Sequence, residues 1–71
     1  MLKIGVLGAG HLGKIHIYCI KQLAVYELVG FYDQDENTAK KVSEDLQVKC
    51  YSSIDELIDM VDVVDIVTPT I

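Results

Sequence analysis

Residues 4–14 read IGVLGAGHLGK, and this stretch decides the fold of the 71-residue chain. Its apolar start predicts a buried strand, its glycines a tight turn, and its end the first turn of a helix. Glycines at positions 8, 10 and 13 have the spacing G-x-G-x-x-G. In that spacing the first glycine permits the turn, the second lets a pyrophosphate approach the backbone, and the third lets the helix pack closely on the strand. The stretch therefore predicts a site for a dinucleotide, although a glycine-rich turn that binds nothing has the same letters.

A carboxylate follows where such a site needs one. Asp33 lies 20 residues beyond Gly13 and ends an apolar, β-forming run that starts at Leu28. A carboxylate there accepts hydrogen bonds from the adenosine ribose hydroxyls and repels a 2′-phosphate, and the chain has no arginine to bind that phosphate. The pattern favours NAD over NADP. The alternative is that Asp33 only caps a turn.

The rest of the chain alternates strands and helices, which predicts a parallel α/β sheet. The predicted strands cover residues 2–7, 28–33, 48–51 and 63–67, and the predicted helices 11–23, 35–45 and 54–60. Ser53 and Glu56 match a capping box at the start of the last helix. We expect a Rossmann-like strand order of 3-2-1-4 with flanking helices. Because a complete dinucleotide fold has about six strands, we expect residues 1–71 to be the N-terminal part of a larger domain.

In the first helix, the apolar positions predict a buried stripe of Leu12, Ile15, Cys19 and Leu23, which Ile17, Ile20 and Ala24 widen. His16 lies among these residues, and we expect it to be a hydrogen-bonded packing residue. Asp65 interrupts the apolar last strand, and two interpretations are open: it lies near the solvent-facing N-terminal end of that strand, or it pairs with a group beyond residue 71.

The composition excludes several classes of protein. The net charge is −5, with eleven acids and six lysines, so nucleic-acid binding is not expected. No apolar run approaches a membrane span or a signal peptide. Two cysteines without C-x-x-C spacing predict free thiols, buried or half-buried, in a reducing cytoplasm. The acids at 55, 56 and 59 have no histidine near them in the pattern, so no metal site is expected.

Four segments together resemble the N-terminal domain of the Gfo/Idh/MocA oxidoreductases. These are IGVLGAGHLGKIH at 4–16, ELVGFYD at 27–33, YSSIDEL at 51–57 and VVDIVTPT at 63–70. The Thr-Pro pair that closes the last strand is the most discriminating of them. The resemblance covers the whole chain.

The resemblance implies a nicotinamide-dependent oxidoreductase that acts on a sugar or polyol, with a further substrate domain and a homo-oligomeric full-length protein. The residues expected at the cofactor are Gly8, Ala9, Gly10, His11, Leu12 and Gly13 at the pyrophosphate, Asp33 and Gln34 at the adenosine ribose, and Thr68, Pro69 and Thr70 towards the ribose or the nicotinamide side. The catalytic Glu-Lys-Pro motif of such enzymes does not occur here, so no catalytic residue is assigned. Two alternatives stay open: an NAD-binding redox sensor without enzyme activity, and an FAD-binding half-domain.

Overall fold

A computed structural model describes residues 1–67 and, for His11, the backbone alone. The predicted contacts of Thr68, Pro69 and Thr70 lie outside the described residues. The elements follow in the order β1 (Leu2–Leu7), α1 (His11–Lys21), β2 (Tyr26–Tyr32), α2 (Glu36–Leu46), α3 (Ile54–Asp59) and β3 (Val63–Ile66).

The three strands form one parallel sheet in the order β2-β1-β3. The predicted Rossmann-like α/β fold is confirmed, and the last predicted strand lies beside the first, as expected. The strand predicted over 48–51 is wrong as a strand. Only one parallel bridge forms there, between Phe31 and Cys50, with Phe31 N–H donating to Lys49 O at 3.0 Å and Tyr51 N–H to Phe31 O at 2.8 Å. This segment still runs along the outer edge of β2, the side on which the predicted order places it.

The pairing of β1 with β2 contains one irregularity. Ile4 pairs with Leu28, but the next residue, Gly5, pairs with Gly30, so Val29 is an extra residue in β2. This is a β-bulge, with two residues on one strand opposite one residue on the other. The carboxyl-terminal half of β2 is consequently shifted by one position relative to its start.

The buried face of α1 is centred on one margin of the predicted stripe. Ile17 and Ile20, which were expected to widen the stripe, are buried. The four residues expected at its centre are exposed, with Leu12, Ile15 and Leu23 at 43%, 46% and 49% and Cys19 exposed as well. The reason is Gly13, whose backbone lies against Gly8 and turns that side of the helix towards the sheet. Ile17 and Ile20 follow Gly13 by four and seven residues and share its face.

The core is built from both sides of the sheet. Val6 and Phe31 are fully buried in neighbouring strands, and Ile17 and Leu57 are fully buried on helices. Leu57 of α3 packs directly on Gly5, where a Cβ would lie 2.7 Å from Leu57 Cδ1. The glycine inside β1 thus permits the close approach of a helix.

Side chains cap α2 and α3 at their N-termini. Asp35 accepts hydrogen bonds from Asn37 N–H at 3.0 Å and Thr38 N–H at 3.3 Å. Ser53 accepts from Glu56 N–H at 3.2 Å, which confirms half of the predicted capping box. The other half is wrong, because the Glu56 carboxylate accepts from the Ser52 hydroxyl at 3.0 Å and not from Ser53 N–H.

Candidate functional site

The glycine turn joins β1 to α1 at the carboxyl end of the sheet. Gly8 has a φ of +97°, in the region that favours glycine, and its N–H donates to Tyr32 O at 2.8 Å. A side chain at Gly8 would also collide with the carbonyl oxygen of Val67, directly after β3. Both the backbone conformation and the neighbouring strand therefore require a glycine at this position.

Gly13 is required for packing. A Cβ on Gly13 would overlap the carbonyl oxygen of Gly8, so the first turn of α1 lies in backbone contact with the turn that precedes it. The close atoms belong to the backbone of Gly8, so no flexible side chain could move aside to make room for a Cβ at Gly13. This is the close helix packing predicted for the third glycine of the motif.

At Gly10, neither the backbone conformation nor close packing requires a glycine. Its φ of −65° suits any residue, and a Cβ built on it would meet, apart from its two chain neighbours, no atom of the described residues within 4 Å. It is the N-cap residue of α1, and no side chain in the described part of the chain caps this helix. The amides of the first turn of α1 and the missing side chain at Gly10 together leave an open, electropositive surface of backbone.

Asp33 lies beside this surface at the end of β2. Its Oδ2 accepts a hydrogen bond from Ala9 N–H at 2.7 Å, and its Oδ1 accepts from Asp35 N–H at 2.8 Å. The residue is half-buried. An ionised carboxylate offers about four acceptor positions, so these two bonds leave capacity for the hydroxyls of a ligand. The backbone bonds fix the orientation of the carboxylate before a ligand arrives.

An open pocket of about 510 Å³ begins at Asp33 and extends between the end of β2 and α2. Its charged lining comprises three carboxylates and one ammonium group, from Asp33, Glu36, Glu44 and Lys40. Cys50 also lines this pocket, and burial, followed by the negative charge of Asp33, raises the pKa of its thiol. Because carboxylates outnumber ammonium groups in its lining, the pocket is a poor environment for an additional phosphate.

The structure brings together most of the predicted site. Gly8, Ala9 and Gly10 form the turn, Gly13 lies against it in the first turn of α1, and Asp33 is bonded to Ala9. Leu12 and Gln34 are exposed, Gln34 lines the pocket that begins at Asp33, and the His11 backbone starts α1.

Two features near the site were not predicted from the sequence. Asp65 of β3 and His16 of α1 form a hydrogen bond, with Oδ2 and Nδ1 2.7 Å apart, so the partner of Asp65 lies within this chain. The hydrogen-bonded role expected for His16 agrees with this contact. The signal available in the sequence was the presence of one acid in an apolar strand and one histidine in an apolar helix. The second feature is the proximity of Cys50 to Asp33.

Other kinds of site find little support in residues 1–67. No three of the His, Cys, Asp and Glu side chains described there come together as metal ligands would. In the same part of the chain, no helix has the length and apolar character needed to cross a bilayer. Cys19 and Cys50 are free thiols, but Cys19 is exposed, which corrects the expectation that both are at least half-buried.

Comparison with known proteins begins at the level of the family. The model of the Gfo/Idh/MocA oxidoreductase family, described as an NAD-binding Rossmann fold, matches residues 2–71. This match includes nearly every residue of the chain.

Individual relatives match over much of this chain but over little of their own length. UDP-N-acetylglucosamine 3-dehydrogenase of Acidithiobacillus ferrooxidans is 39% identical over 97% of this chain and 21% of its own. Glucose-6-phosphate 3-dehydrogenase of Bacillus subtilis is 36% identical over 83% of this chain and 17% of its own. The chain thus spans about a fifth of the length of the curated relatives that it matches.

Solved structures agree with the fold. The structure of the Acidithiobacillus ferrooxidans enzyme superposes with a TM-score of 0.81 over 97% of this chain and 22% of its own, at 39% identity. An NAD-binding oxidoreductase from Klebsiella pneumoniae gives a TM-score of 0.74 over 96% of this chain and 21% of its own, at 30% identity.

Proposed function

The chain belongs to the Gfo/Idh/MocA oxidoreductase family with its NAD-binding Rossmann fold, and we propose that residues 1–71 bind the cofactor in an NAD(H)-dependent oxidoreductase. That enzyme transfers a hydride to or from a sugar or polyol-like substrate. The observation that carries the proposal is the open backbone at Gly10, bordered by the fixed carboxylate of Asp33.

The described residues fit a dinucleotide. A diphosphate would lie over Gly10 and the first amides of α1, where no side chain intervenes and the helix dipole is favourable to negative charge. The free acceptor positions of Asp33 would take the ribose hydroxyls. Bound nicotinamide supplies the hydride chemistry, and the protein supplies its position and electrostatic environment. Thr68, Pro69 and Thr70 would approach the ribose or nicotinamide, and no residue of this chain is assigned to catalysis.

The charges next to Asp33 support NAD rather than NADP. A 2′-phosphate on the ribose would lie close to the Asp33 carboxylate, and two further acids line the adjoining pocket. One unit charge repels another at about 4 Å by roughly 1 to 4 kcal/mol, depending on the effective dielectric. The one ammonium group of the pocket, on Lys40, is outnumbered by these carboxylates.

The substrate class rests on the relatives. The two curated relatives are named as dehydrogenases of a nucleotide-linked amino sugar and of a sugar phosphate. For this protein we propose only what the two names share, the oxidation of a sugar or polyol hydroxyl to a carbonyl. The substrate-binding domain, a homo-oligomeric assembly and a cytoplasmic location belong to the same proposal.

Calorimetric titration of the intact protein with NAD tests the proposal. Gly10→Val places a branched side chain where the diphosphate would lie, and we expect NAD binding to be lost. Ala24→Val is the matched control, because Ala24 is exposed and lies beyond the other end of α1. This variant should bind NAD as the wild type does. Unchanged NAD affinity in Gly10→Val, or heat of binding with FAD in place of NAD, would contradict the proposal.

A further inference from the structure

The contact between His16 and Asp65 joins α1 to β3, a strand on which this helix does not mainly pack. Helix α1 lies mainly on β1 and β2, whereas Asp65 belongs to β3, on the opposite side of β1. Nδ1 and Oδ2 are 2.7 Å apart, and the two side chains are 39% and 27% exposed. An ionised carboxylate only accepts, so the imidazole Nδ1–H is the donor. The bond therefore connects the helix that starts at the glycine turn with the strand that ends beside it.

Strand β3 is the shortest of the three and the least buried, with four residues and none of them fully covered. Among the described strands it pairs with β1 alone. Beyond the sheet ladder, one aspartate holds it near each end. Before the strand, Asp62 Oδ2 accepts from Lys3 N–H at 3.0 Å, and near its carboxyl end Asp65 bonds to His16.

The carboxyl end of β3 is the end that matters to the turn. Val67 N–H donates to Leu7 O at 2.9 Å, and the Val67 carbonyl lies where any side chain on Gly8 would have to be. Asp65 is two residues before Val67. A shift of this strand end would move the group against which Gly8 rests and, through Gly8, the backbone that carries Gly10.

We propose that His16 and Asp65 are a positioning pair for the cofactor: they hold the end of β3 against Gly8 and so keep the glycine turn in its binding geometry. The inference rests on the proposed function, because it assigns these residues to the affinity of the same dinucleotide site. In this role neither residue needs to touch the cofactor. Asp33 holds the turn from the β2 side through Ala9, and the pair holds it from the β3 side.

Asp62 and Asp65 provide a matched test, since each side chain accepts one hydrogen bond, Asp62 just before β3 and Asp65 near its carboxyl end. In the intact protein, Asp65→Ala should weaken NAD binding about tenfold, the usual scale for losing one charge-assisted hydrogen bond. Asp62→Ala should leave the affinity within about twofold of the wild type, because its bond lies at the far end of β3. Calorimetry with NAD gives both values, and thermal unfolding of each variant shows whether stability changes in parallel.

Variants of His16 separate positioning from general stability. His16→Leu removes the donor and should weaken NAD binding as Asp65→Ala does, although leucine is the better helix former. His16→Asn keeps an amide donor close to the place of Nδ1 and should restore most of the affinity. The double variant His16→Leu with Asp65→Ala should lose no more than either single one, since both remove the same interaction.

The outcomes distinguish this inference from the proposed function. If the wild type does not bind NAD, the proposed function fails and the pair has nothing to position. If the wild type binds NAD and Gly10→Val does not, the function stands, and the inference is tested separately. Wild-type affinity in Asp65→Ala, or an equal loss in Asp62→Ala and Asp65→Ala, overturns the positioning role.

Discussion

The base of the glycine turn and its exposed side have the same residue type for different reasons. At the base, Gly8 and Gly13 are surrounded by backbone atoms, and the protein itself has no room for a methyl group at either position. On the exposed side, Gly10 has ordinary torsion angles, and none of the residues described lies beyond its α-carbon within 4 Å, its chain neighbours apart. The packing of residues 1–67 therefore requires two of the three glycines, and the proposed diphosphate would give a reason for the remaining one. The spacing G-x-G-x-x-G alone does not make this distinction.

Gly13→Ala should produce the largest effect and defines one side of the comparison. Overpacking that backbone atoms cannot relieve costs about 3 kcal/mol, and we expect the free energy of unfolding to fall by about that amount. Urea denaturation of the intact protein measures it. Gly10→Ala is the control, and equal losses in the two variants would mean that the distinction between the base and the exposed side is wrong.

Gly10→Ala should have its main effect on binding. Among residues 1–67 the added methyl meets nothing beyond its chain neighbours, so the free energy of unfolding should stay within about 1 kcal/mol of the wild type. The same methyl occupies the surface proposed for the diphosphate, and we expect NAD affinity to fall about tenfold, less than with valine. Calorimetry and urea denaturation on one preparation give both numbers. A stability loss without an affinity loss would reverse the assignment.

Asp33→Asn sharpens the comparison, because Asp33 serves both the protein and the proposed ligand. In asparagine an NH₂ group replaces one of the two carboxylate oxygens, which accept hydrogen bonds from Ala9 N–H and Asp35 N–H. The free energy of unfolding should therefore fall by about 1 to 2 kcal/mol. Loss of the charge should also narrow the ratio of NAD to NADP affinity about fivefold. Paired titrations with the two dinucleotides measure that ratio. An unchanged ratio would remove Asp33 from the ribose site.

The smallest effect concerns the thiol of Cys50. Burial is the main cause of its raised pKa and the Asp33 charge the lesser one, so Asp33→Asn should lower that pKa only in part. The pH dependence of iodoacetamide alkylation, followed by mass spectrometry, reports the shift, with exposed Cys19 as the internal control. Because folding favours the protonated thiol, its contribution to stability is complete below the ordinary cysteine pKa and is lost as the pH rises through the raised value. An unmoved pKa would show that Cys50 does not sense Asp33.

Local patterns in the sequence predicted much of this structure. The strand before the glycines, the aspartate at the end of the second strand and the cap at Ser53 each depend on neighbouring residues, and each was found where expected. The buried face of α1 could not be chosen correctly, because apolar residues occur all around that helix. Its rotation depends on the backbone contact between Gly13 and Gly8, which is a property of the tertiary structure.

Partners distant in the sequence were also inaccessible. His16 and Asp65 are 49 residues apart, and only the placement of β3 next to β1 brings them together. The segment 48–51 has the composition of a strand but meets β2 at a single bridge. Gly30 precedes Phe31, the residue of β2 that forms this bridge. The Tyr51 ring and the Lys49 carbonyl occupy the space that a side chain at Gly30 would need, so the contact depends on a close approach between the two segments.

The bulge at Val29 has a consequence for how the distance from the glycines to the carboxylate is counted. One of the residues between Gly13 and Asp33 adds length to the chain without adding a pair to the ladder. Deleting Val29 would therefore keep the pairs of Ile4 with Leu28 and of Gly5 with Gly30, and would leave Asp33 beside Ala9. The number of residues from the glycines to the carboxylate is thus free to differ by one while the carboxylate stays in the same place.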